Sequence, residues 1–155
     1  MLALSIFEWL VSSPWANVMN GPEWAFPVVQ SIHFMGFALS IGTIAIVDLR
    51  LLGYGMRRQK PAQLASDLAP WTVSGIAVML ITGFLMFSAD AVRYHVNPSF
   101  RVKMTCLAAA LLFQFTIHRK AVGDNVPPLA AKSAAILSLC LWTAVVGAGR
   151  MIAFV

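Results

Sequence analysis

Residues 27–53 read PVVQSIHFMGFALSIGTIAIVDLRLLG, an apolar run with His33 toward one end and Asp48 and Arg50 toward the other. Roughly 20 mainly apolar residues carry a helix across a bilayer core about 30 Å thick, so the run predicts a membrane-spanning helix. Three further stretches, about residues 69–91, 102–118 and 133–154, meet the same requirement. The composition agrees. Of 155 residues, 59% are hydrophobic and 11% charged, and the mean hydropathy is +0.78, above that of a soluble domain of this size. The predicted fold is all-α: an integral membrane up-down four-helix bundle, one membrane domain over residues 1–155. Short connections make successive helices antiparallel, and helices satisfy their own backbone polar groups inside lipid.

The connections carry the charge. Arg57, Arg58 and Lys60 follow the first span, and Arg119, Lys120 and Lys132 lie between the last two. At the opposite ends Arg93, Arg101, Lys103 and Arg150 are offset by Glu8, Glu23 and Asp90. The positive-inside rule then places the two basic loops in the cytoplasm and both termini in the periplasm of a bacterial inner membrane. A net charge of +5 spread over span ends, rather than gathered on one face, does not point to nucleic acid. Membrane lipid is the partner expected.

Ahead of the first span, MLALSIFEWL has no basic n-region and no clear cleavage site, so it does not read as a signal peptide. Leu4, Phe7, Leu10 and Val11 fall at helical spacing, and Trp9, Trp15 and Trp24 suit the membrane–water boundary. A short interfacial helix over residues 2–13 is expected, broken at Asn20-Gly21-Pro22. YGMRRQKPAQLASDLAP, RYHVNPSFR and RKAVGDNVPPLAAK read as loops, the second with a turn at Asn97-Pro98. Cys106 and Cys140 fall at different depths, so no disulfide is expected, and no C-x-x-C-H supports covalent haem attachment.

Polar groups at bilayer depth cost a few kcal/mol on insertion scales, about 3 for a charged side chain, and therefore face the bundle interior or an interface. His33, Gly36, Ser40 and Thr43 share one helical stripe; Gly75, Thr82, Met86 and Asp90 share another; Lys103, Ala110, Gln114 and His118 share a third. Gly36 with Ser40, Gly75 with Gly83, and Gly147 with Gly149 are small enough for close helix contact. At 1.5 Å rise, His33 lies roughly 9 Å past Pro27, in the outer half. Asp90, Lys103 and Arg150 belong to the same end. One neutral imidazole suits an axial position on haem b, with Lys103 or Arg150 pairing a propionate and His95 as a second axial ligand if the outer loop folds back. A histidine hydrogen-bonded to a neighbouring helix and two snorkelling cations are the alternatives, and the residues leave both readings open. Met35, Met86, Met104 and Met151 with one imidazole could suit Cu(I), but they lack tight Met-x-Met spacing. Copper ranks below haem. Asp48, Arg50 and His118 lie near the other boundary, about 25 Å along the helix from His33 in the case of Arg50. They predict an Asp48–Arg50 or inter-helix ion pair that anchors that end.

WAFPVVQSIHFMGFALSIGTIAIVDLRLLG, APWTVSGIAVMLITGFLMFSADAVRYHVNPSFRVKM and the closing GAGRMIAFV resemble a family of four-helix bacterial inner-membrane proteins with no assigned role. More distantly, the layout is similar to the copper-resistance D membrane domain and to HemJ-type protoporphyrinogen oxidase. The latter resemblance implies haem b at His33, with Arg50, Lys103 and His118 on matching positions. Together these lead to the expectation of a b-type haem protein transferring electrons between a quinol and a periplasmic redox partner. A porphyrinogen-type oxidase, a copper-handling protein and a cofactor-free structural subunit are the alternatives, and an oligomer stays open.

Overall fold

The computed structural model describes residues 2–56 and 58–152. Arg57, the side chain of Leu4 and the last residues of the expected 133–154 span lie outside the described residues. The fold class is the expected one: all-α, with four helices long and apolar enough to cross a membrane and short extra helices at the N-terminus. In chain order these are α1 Leu2–Val11, α2 Pro14–Asn20, α3 Ala25–Leu52, α4 Pro61–Ala89, α5 Ala91–Val96, α6 Pro98–Phe113, α7 Arg119–Ala121 and α8 Pro128–Met151. A π-helical turn, Gln114–His118, joins α6 to α7, so the third span runs over Pro98–Ala121.

Prolines set where the helices begin. Pro14, Pro61, Pro98 and Pro128 each open a helix, where a missing N–H removes no hydrogen bond and the fixed φ is already helical. α4 therefore starts eight residues before the expected 69, and Pro70 lies inside it rather than in a loop. The loop expected at RYHVNPSFR is instead mostly helix, α5 followed at once by α6. The expected 2–13 helix ends at Val11, and a further helix, α2, follows it, with Ser13 as its cap accepting a hydrogen bond from the Ala16 N–H at 3.4 Å. α3 ends on Gly53, whose φ of +94° suits glycine. Gly53 N–H bonds to Arg50 O and Tyr54 N–H to Leu49 O, the paired bonds of a Schellman stop.

The chain forms two compact units, both drawing on α3 and α4. The first holds the chain through Ser40 with Val73–Asn97; the second holds Ile41–Thr72 and the chain from Pro98 onward. In the first unit α3 and α4 run antiparallel in direct backbone contact. A Cβ on Gly75 would stand 2.7 Å from Ser40 N and 2.8 Å from Gly36 O, and one on Gly36 would stand 3.0 Å from Gly75 O. Only glycine allows that approach. Leu10, Ser13, Ala16 and Met19 are buried at three-residue spacing, and Asn20 Nδ2 donates to Ala89 O at 2.9 Å, tying α2 to the end of α4.

In the second unit α6 packs on α8, and Val47, Leu51, Leu64, Val122 and Ala135 form a core. Leu64 belongs to the first turns of α4, which is why that segment is helix despite its polar Gln63, Ser66 and Asp67. Thr72 Oγ1 donates to Thr43 Oγ1 at 2.8 Å between α4 and α3. Gly147 meets nothing within 4 Å, and a Cβ on Gly149 would meet only the Lys103 side chain, from 3.5 Å, so neither is a position of close backbone approach.

α3 shows how a membrane helix sorts its residues. His33, Gly36, Ser40, Thr43, Ile44, Val47, Asp48 and Leu51 are buried, while Ile32, Phe34, Met35, Leu39, Ile46 and Leu49 are exposed. The buried stripe is the more polar side, since lipid solvates large apolar side chains and polar groups must find protein partners.

Candidate functional site

The polar stripe of α3 ends in two different histidine environments, one in each unit. In the first, His33 is 8% exposed and its Nδ1 lies 3.0 Å from Thr82 Oγ1 on α4. Thr82 Oγ1 spends its one proton on Val78 O at 2.6 Å, as helical threonines commonly do. Thr82 therefore accepts, His33 Nδ1–H donates, and Nε2 carries the ring's lone pair. Gly83 makes room for the ring: a Cβ there would stand 3.2 Å from His33 Cε1.

The other expected residues of that end divide between the units. In the first, Asp90 precedes α5 without a side-chain capping bond. Burial, reinforced by the Asp90 carboxylate and opposed by Arg93, holds the Tyr94 phenol above its ordinary pKa. His95 stacks on Phe7 with ring centroids 4.3 Å apart, which docks α1 on α5. In the second unit Lys103 is half-buried, with its Cε 3.5 Å from where a Gly149 Cβ would be, and Arg150 beside that glycine is exposed. Lys103 thus lies against the last turn of α8 at Gly149. Met35, Met104 and Met151 are exposed, so these thioethers do not form an enclosed sulfur set.

The second unit holds the more unusual group. Asp48 on α3 and His118 in the π-helical turn are 0% and 2% exposed, and His118 Nε2 donates to Asp48 Oδ1 at 2.6 Å. Gln114 Nε2, one turn earlier, donates to His118 Nδ1 at 3.2 Å. Three buried oxygens have no hydrogen-bond partner among the described residues: Asp48 Oδ2, Gln114 Oε1 and Ser138 Oγ. Of the two expected pairings for Asp48, the inter-helix one forms. Arg50 instead donates its Nε–H to Gln59 O at 2.9 Å, away from Asp48. Residues two apart on a helix do not face each other, a constraint already present in the sequence.

Among the described residues, no three or more His, Cys, Asp or Glu side chains are placed to hold a metal ion. Both cysteines are free. A family model matches residues 6–155. The chain belongs to DUF6644, a family of unknown function. Neither the comparison with curated proteins nor that with solved structures finds a match. DUF6644 membership accounts for the resemblance to a four-helix membrane family, and lends no specific support to the likeness to copper-resistance D or HemJ-type proteins.

Proposed function

We propose that this multi-pass membrane protein binds one b-type haem through His33 and transfers electrons near the periplasmic face of a bacterial inner membrane, with a quinol as donor. The observation that carries the reading is the His33–Thr82 bond. A neutral hydroxyl fixes the Nδ1–H tautomer and ring orientation, the outer-shell arrangement that metal-ligating histidines use, and leaves the lone pair on Nε2. An axial haem site asks the protein for a single such nitrogen. A mononuclear site asks for a cluster of three or more ligands, so the donor set favours haem. When bound, haem would supply one-electron chemistry; His33 binds, and Thr82 and Gly83 position it. His95 serves as a second ligand only by giving up Phe7. The same bond also favours a second reading, a cofactor-free structural subunit in which His33 simply joins α3 to α4.

An absorption spectrum of protein purified from haem-replete cells, oxidised and reduced, separates the two. A Soret band lost in His33→Ala supports ligation. Its absence from the wild type leaves the structural reading. Outside labelling of a cysteine introduced at Gln59 would contradict the orientation.

A further inference from the structure

The pair in the second unit is unlike an anchor in one respect. An anchor is served by mutual satisfaction of its groups, because a buried charge with an unfilled hydrogen-bonding position is costly in low dielectric. Asp48 is fully buried, yet one of its two carboxylate oxygens has no donor. His118 Nε2–H is spent on Oδ1, and Gln114 commits one of its two amide N–H groups to His118 Nδ1 while the other makes no hydrogen bond to Oδ2. The ionisable groups on the elements packed around the pair do not reach it either. Arg50 is turned to Gln59 O, while Asp67, Arg119, Lys120 and Lys132 are exposed.

We propose that Asp48, His118 and Gln114 form a proton-binding site inside the membrane-spanning region, with Asp48 Oδ2 as the atom that takes the proton. Uptake forms an O–H bond at Oδ2 from a hydronium ion, leaving water, and cancels the carboxylate's charge. Release breaks the same bond, and no electrons move. The imidazole holds Oδ1 in both states, so the proton adds to Oδ2 without dismantling the pair. Gln114 positions the ring by donating to Nδ1, which keeps the ring's single N–H on Nε2, facing Asp48.

The backbone supplies a second, independent sign. Gln114 and His118 are the first and last residues of the π-helical turn. Such turns are rare, cost helical regularity and recur at functional sites. Here the distortion falls on the segment that delivers His118, the partner of Asp48, and Gln114, the partner of His118. Ser138 on α8, in the same unit, is also fully buried, and its oxygen has no hydrogen-bond partner among the described residues.

Infrared difference spectroscopy of the full-length protein, in a detergent without carbonyl groups, tests the site. Lowering the pH is expected to bring up a carboxylic-acid carbonyl band that shifts with 13C-labelled aspartate, is lost in Asp48→Asn and persists in Asp67→Asn. His118→Gln is expected to move the pH at which the band appears. Should Asp48→Asn lose its helical circular dichroism, the isotope-edited wild-type spectrum and Asp48→Glu, with its displaced band, carry the test. Absence of any pH-dependent aspartate band in the folded protein would overturn the proposal. So would uptake seen only on the His118 ring, or a band that follows sodium concentration at fixed pH. The haem reading at His33 plays no part in this experiment, so each can fail alone.

Discussion

His33 and His118 are both buried, at 8% and 2% exposure, yet their partners differ in kind. His33 donates to a threonine hydroxyl whose own proton is already committed to a backbone carbonyl. Every group in that chain is neutral. His118 donates to a carboxylate that keeps a second, unpartnered oxygen. Breaking a neutral chain exposes one N–H, whereas breaking the other leaves a buried charge, and low dielectric makes those losses unequal.

That inequality gives the largest predicted effect. His118→Ala is expected to destabilise the protein by about 3–5 kcal/mol, the usual cost of stranding one member of a buried pair, read from denaturant unfolding in detergent. Replacing Asp48 and His118 together by apolar residues of similar size should recover most of the loss. Gly75→Ala comes next, because its new Cβ meets Ser40 N and Gly36 O, which are backbone atoms with nowhere to go. About 1–3 kcal/mol is expected, against no loss for Gly42→Ala, which meets nothing within 4 Å. Thr82→Val should cost about 1–2 kcal/mol by orphaning the His33 N–H, clearly less than His118→Ala. Equal costs for the two would break the contrast between the sites.

The smallest effect concerns the rim of the first unit. The Tyr94 phenol, held up mainly by burial and then by Asp90, should ionise above the ordinary tyrosine range in an ultraviolet titration. Asp90→Asn should lower its midpoint. Because the folded value is raised, the linked stability is present below the ordinary tyrosine pKa and is lost as pH climbs through the folded one.

Much of this was readable from residue order, for identifiable reasons. The stripe from His33 to Thr43 was legible because small and polar residues recur at helical spacing among large apolar ones. The Gly75–Thr82 stripe was legible in the same way, and together they anticipate the contact between α3 and α4. The start of α4 was hidden because Gln63, Ser66 and Asp67 depress hydropathy among Ala62, Leu64, Ala65 and Leu68, which face the core. Pro70 then resembled a loop signal inside what is continuous helix. The sequence placed Asp48 and His118 at one end but could not rank their pairing. The π-helical turn that settles it arises from packing, with no composition of its own.

The glycine contact carries an evolutionary consequence. With no side chains at Gly36 and Gly75, the two residues at the closest backbone approach of α3 and α4 have no atoms of their own to trim. Drift elsewhere can be absorbed by repacking, but a substitution at either glycine must be met by moving a whole helix. Across DUF6644, positions 36 and 75 should therefore change together or not at all, while 42 and 147 wander freely, and an alignment of divergent members would show it.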